Sequence, residues 1–280
     1  MSIKQTVQSF STMTHQEQQA FLLENGNSFL NQMLHHIGSA DAELRDQLIY
    51  RTFVKLISDD LLAKEQMQFL FDEATNDKYL YNALGERNTD TVFTRSFSAL
   101  LIANLLAKDI EAPSLDSAKL DNFFKKCGRY LLLEEDTRGF VDQKGWAHSF
   151  AHGADLAATS IRHPAFDVSK ASAILHALKM SFWKGTVFVD DEEERFTAII
   201  EALLARNVPE EVLIEWCNQL FDKFEMHLLT QGYNDQFFKG RTCTMNFAKT
   251  LYFSIKMNNL APQLQNALYE QIAKWLKLGA

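Results

Sequence analysis

Apolar residues recur at three- and four-residue steps through most of the chain, which is the period of an amphipathic helix. AELRDQLIYRTFVKLI (42–57) puts Leu44, Leu48, Phe53 and Ile57 on or near one stripe, with Ser39 or Asp41 available to cap its start. LLAKEQMQFLFDEA (61–74) repeats the pattern behind the cap candidates Ser58 and Asp59. A third stretch, 89–109, stops short of Pro113, and Ser114 and Asp116 precede the apolar run KLDNFFKKCGRYLLLEED. Further helices are predicted at 169–183 and 192–207, from Pro209 onward, across QFFKGRTCTMNFAKTLYFSIKM, and after Pro262. No strand alternation or Asn-Gly hairpin signal stands out, so the expected class is all-α.

A weak recurrence refines this. Thr91-Val92-Phe93 is followed by Phe97-Ser98-Ala99-Leu100-Leu101, and Thr186-Val187-Phe188 by Phe196-Thr197-Ala198-Ile199-Ile200. The offset is about two units of HEAT or armadillo length. The expectation is antiparallel helix pairs stacked as a right-handed HEAT/armadillo-like solenoid, in one continuous domain over residues 1–280.

Composition narrows the function classes. A formal charge of −8 without a Lys/Arg stripe argues against a nucleic-acid partner and against adsorption to an anionic membrane, and favours a basic or neutral one. FSALLIANLLA is about half a bilayer span, and the N-terminal stretch has no apolar segment behind a basic head. Cys127, Cys217 and Cys243 are widely spaced and odd in number, which fits buried, reduced thiols in a cytoplasm.

The chemistry is concentrated in GWAHSFAHGAD (145–155). Read as helix, it brings His148, His152 and Asp155 within an arc of roughly 60°, with Trp146, Phe150, Ala154, Ala157 and Ile161 opposite. Two histidines four apart and a carboxylate one turn on can begin a site for zinc or manganese. Ser149 stands where a His-Glu-x-x-His peptidase keeps its general base, so that class is disfavoured. A further ligand would come from VDDEEER (189–195), from Asp190, Glu193 or Glu194. The alternatives are a non-metal ligand site and an ordinary solvated face, since acidic residues at a helix start also answer the helix dipole. The preceding loop EEDTRGFVDQKGW (134–146) adds Arg138, with Gly139 and Gly145 allowing tight turns, and Arg95 and Arg195, each just ahead of a recurring segment, are candidates for one concave face.

LRDQLIY, VFTRSFSALL and EEDTRGFVDQKGWAHSFAHGADL, in that order, resemble an uncharacterised bacterial group, DUF2785, from about Leu44 to the LYFSI segment near residue 255. The resemblance implies an all-helical, HEAT-like fold and marks Arg138, Trp146, His148, His152 and Asp155 as signature positions. It implies no reaction. Two functions follow as expectations. One is a binding module for a protein, peptide or small polar ligand, lined by Arg95, Arg138, Trp146, His148, His152, Asp155 and Arg195. The other is a metal-dependent hydrolase holding its ion with His148, His152, Asp155 and Glu194.

Overall fold

The helices predicted from the periodicity are present, in a computed structural model that describes residues 2–276. Two helices that the pattern does not single out come first, α1 (Ile3–Thr12) and α2 (His15–His35), each opened by a capping box, Ser2 with Gln5 and Thr14 with Glu17. A π-helical stretch, Glu43–Tyr50, runs directly into α3 (Arg51–Ser58). Asp41 caps it, its Oδ1 accepting from the Leu44 N–H. Then come α4 (Lys64–Ala74), α5 (Thr91–Glu111), α6 (Ser117–Phe124) and α7 (Gly128–Leu133). Ser58 and Asp59 close α3 instead of opening α4, whose first turn is held by Gln66 Oε1 accepting from the Ala63 N–H.

A two-residue antiparallel ladder interrupts the helices, β1 (Phe140–Val141) against β2 (Gly145–Trp146), with Phe140 opposite Trp146. The class remains all-helical with this one short ladder added. Two residues per strand are too few to show an alternation. The chain then continues as α8 (Ser149–Arg162), α9 (Ala171–Ser181), α10 (Glu192–Ala205), α11 (Glu210–Gln231), α12 (Asp235–Met257) and α13 (Pro262–Leu276).

Helix α8 lies between α5 and α10, α10 packs on α12, and α12 on α13, while α7 packs on α9 and α11 on α13. The two recurring segments thus flank the same helix: Phe97 stands edge-on to His152, and Phe196 edge-on to Phe150. Their leading triplets differ, since Thr91–Phe93 is helical and Thr186–Phe188 is not. Phe150, Ala154, Ala157 and Ile161 are buried as the periodicity predicts, but so are Ser149, His152, Leu156 and Ser160, because α8 is covered by neighbours on more than one side. Burying a Phe or Ile side chain of this kind is worth about 1.5–3 kcal/mol. Gly153 lets α7 approach: a Cβ there would stand 2.7 Å from both Tyr130 Cε1 and Leu131 Cδ2.

One apolar cluster runs from Ile3 in α1 to Trp275 in α13. A second, small one, Val92, Phe93 and Ala147, sits beneath the ladder and seats it on α5. All three cysteines are buried and free. No described helix is long and apolar enough to cross a membrane.

Candidate functional site

The segment GWAHSFAHGAD is not one helix. Gly145 and His148 adopt left-handed backbone angles, φ 73° and 47°, and the chain between them stays with the ladder. The Ala147 N–H donates to Gly139 O (2.8 Å) and the His148 N–H to Arg138 O (3.1 Å). Helical bonding begins only when the His152 N–H reaches His148 O. Trp146 and His148 therefore leave the helical positions assigned to them from the spacing. Gly145 suits its place, because only Gly takes that φ without strain.

Three arginines hold this turn from behind. Arg95 is 0% exposed; its guanidinium meets Glu134 through Nε (2.5 Å) and Nη2 (2.9 Å) and also reaches Thr91 Oγ1 and Glu86 O. Glu134 Oε1 in turn accepts from the Glu135 and Asp136 N–H groups. Arg138 grips both oxygens of buried Asp136 (2.8 and 2.6 Å) and donates to Thr89 O. Arg45, also fully buried, donates to Lys144 O and Ser39 O at 2.6 Å and lies 4.1 Å over the Phe93 ring. Arg95 thus lines no surface and shares no face with Arg195, correcting that expectation. Arg138 shapes the loop that carries the site. Arg45 and Glu134 were legible only as parts of an apolar stripe and a charged connector.

His152 is buried, and its Nδ1 lies 2.7 Å from Ser96 Oγ. The Ser96 hydroxyl donates to Ala147 O, so the imidazole must supply the proton between them. Ser96 is consequently not an activated nucleophile. Burial, helped by nearby His148 and Arg195, holds the His152 pKa well below the usual range, keeping the ring neutral. Asp155 is half-buried, with Arg195 Nη1 at 3.2 Å from each of its oxygens. Burial raises its pKa in spite of that partner. Glu194 is exposed.

His148, His152, Asp155 and Glu194 do not form one ligand set. Among the described residues the His148 ring instead meets Asp190 and Glu192, with one ligand atom from each lying within 4.8 Å of the others. His148 Nε2 is 3.0 Å from Asp190 O; a carbonyl only accepts, so Nε2 carries the proton and Nδ1 the lone pair. Burial lowers the His148 pKa and pushes the Glu192 carboxyl up to about 7. Asp190 Oδ2 accepts from the Phe140 N–H at 3.2 Å, and lies so close to Gly139 that any Cβ there would collide with it. Asp190 was among the donors anticipated from the acidic run; Glu192 was not.

Above this group the Trp146 ring stacks on His148, with centroids 4.3 Å apart and planes at 21°, and Phe140 meets Trp146 edge-on. Both aromatics are exposed, Trp146 by 40%. Clefts of about 550 and 500 Å³ open elsewhere, one beside Tyr81 and Arg129 and the other beside Leu22 and Leu61. In the first, Lys119 is paired with Asp72 and the Arg129 guanidinium covers the Tyr81 ring.

Residues 80–253 match the family model described as Protein of unknown function (DUF2785). The chain belongs to that family. The DUF2785 match takes in the whole turn from Glu134 to His148 and the acidic run from Asp190, but begins after the LRDQLIY segment that had contributed to the resemblance. No curated protein and no solved structure matches the chain.

Proposed function

We propose that this DUF2785 protein is a binding module, with helix pairs stacked as a right-handed HEAT-like solenoid and a site for a small polar ligand or short peptide at the Trp146–His148 turn. The succession α5, α8, α10, α12, each packed on the next, with α7 on α9 and α11 on α13 behind, supports the stacked arrangement.

The observation that carries the site is the exposed Trp146–Phe140 pair standing over His148 on a backbone held by buried guanidinium groups. Large aromatics on a rigid turn give contact area at little conformational cost, and the polar groups beside them set orientation. A planar or apolar ligand face would lie on Trp146. Asp155 and Arg195 supply one polar edge, and His148 with Asp190 the other. A hydrolase built on His148, His152, Asp155 and Glu194 lacks the convergence on one ion that such a site needs.

The test is thermal unfolding of the parent and of Trp146→Ala against amino acids, dipeptides, sugar phosphates and nucleotides. A ligand at about 100 times its Kd stabilises by about 2.7 kcal/mol. One ligand class should raise the midpoint of the parent by several degrees and leave the variant unmoved. Equal shifts in both proteins, or no shift with any class, would overturn the assignment of the turn.

A further inference from the structure

Carboxylates at the start of a helix are usually solvated and need no partner beyond the helix dipole. The start of α10 departs from that pattern. Glu192 is 2% exposed and Glu193 9%. Among the described residues, no Lys or Arg pairs with Asp190, Glu192 or Glu193. The hydrogen bond that Glu192 accepts from another residue is the one from the Asp190 N–H, 2.9 Å to Oε2. The arginines buried nearby, Arg45 and Arg95, are committed to other carbonyls and carboxylates. A carboxylate taken out of water without a counter-charge costs several kcal/mol. Protonation of the carboxyl or a bound cation offsets it.

We infer that His148, Asp190 and Glu192 form a binding site for one divalent cation, beside the Trp146 platform. Three ligands at about 2.1 Å from one ion stand about 3.4–3.6 Å from one another. The three atoms, within 4.8 Å of one another, therefore need to close by about 1.4 Å at most, within the reach of side-chain rotation. The ligand set is one imidazole nitrogen and two carboxylate oxygens with no thiolate, which suits zinc or manganese and not a soft ion. Two carboxylates and a neutral imidazole balance the charge of the ion.

The surroundings already position these groups. Phe140 N–H and the bare Gly139 backbone fix Asp190, and Trp146 fixes the plane of the His148 ring. Three protein ligands leave coordination positions for water or for a carboxylate or phosphate of the ligand. In that respect the site deepens the binding-module reading and rests on it: the ion would be one contact of the polar ligand.

The experiment is calorimetric titration of the untagged, chelator-stripped full chain with ZnCl2 and with MnCl2. One ion per chain should bind with a micromolar or tighter Kd. Asp190→Asn and Glu192→Gln should each weaken it at least tenfold, while Glu194→Gln, at an exposed carboxylate of the same run, leaves it within twofold. Asp190 is half-exposed, so its variant keeps the test open if Glu192→Gln does not fold. Several weak sites, or equal affinity in the parent and in Asp190→Asn, would overturn the inference.

Trp146→Ala separates the two readings. A ligand from the panel that needs Trp146 but binds equally in the presence of EDTA would leave the platform standing without the ion. An ion lost in Asp190→Asn, with no panel ligand sensitive to Trp146→Ala, would leave the ion without the platform.

Discussion

Arg45 and Arg95 are fully buried, and each ties its helix to a distant segment, Arg45 to Lys144 O and Arg95 to the Glu134 carboxylate. Removing one partner of a buried pair costs far more than the pair's net worth, about 3–5 kcal/mol, because the other charge is left without compensation. Glu134→Gln should therefore lower the urea unfolding free energy by about that amount, and Arg95→Met with Glu134→Leu should recover most of it. A loss under about 1 kcal/mol in the single variant would mean that Arg95 is not held by this carboxylate. The residue type alone could not reveal this role, since an arginine in VFTRSFSALL reads equally as an exposed helix position. The thiols were more transparent. Their wide spacing suggested burial, and burial pushes Cys127 and Cys217 up to about 12 and Cys243 to about 11.

Among the elements, the helices were legible and the turn that carries the site was not. The three- and four-residue rhythm finds α8 because Phe150, Ala154, Ala157 and Ile161 keep one face to the core. The same rhythm continues through Trp146 by coincidence, and so runs past the point where the helix begins. What stops it is backbone geometry: positive φ at Gly145 and His148 and two hydrogen bonds back to Arg138 and Gly139. The glycines at 139 and 145, read as allowing tight turns, were the available signal. A Cβ on Gly145 would meet Ala42 Cβ at 2.9 Å and Arg45 Nη2 at 3.2 Å, besides straining φ. Gly145→Ala should cost about 1–3 kcal/mol by the combined strain and crowding. Hydrogen exchange should show the loss concentrated at Phe140–His148. Faster exchange spread evenly over α5, α8 and α10 would contradict the ladder's being a local unit.

At the scale of the whole molecule, the all-helical class and the match to DUF2785 were open to reading because both rest on long stretches of chain. The grouping at His148 was legible only in part: Asp190 was anticipated from the acidic run, while Glu192 joins through a contact across more than forty residues. Whole-molecule stability carries a pH signature from the buried thiols. Their folded pKa values lie above the unfolded value near 9, so the stability they contribute is complete below about pH 9 and is lost as pH rises toward 12. Chemical unfolding should show that decline, and Cys217→Val should make it shallower. An identical slope in the variant would remove Cys217 from the account. Native protein at pH 8 should leave all three thiols unreactive to a disulfide reagent, and unfolded protein should expose three.

The most direct test of the site is anomalous diffraction from crystals of the untagged chain soaked in MnCl2. The account predicts one strong peak in contact with His148, Asp190 and Glu192, beneath the Trp146 ring. Peaks confined to exposed carboxylates elsewhere, with none at His148, would contradict it.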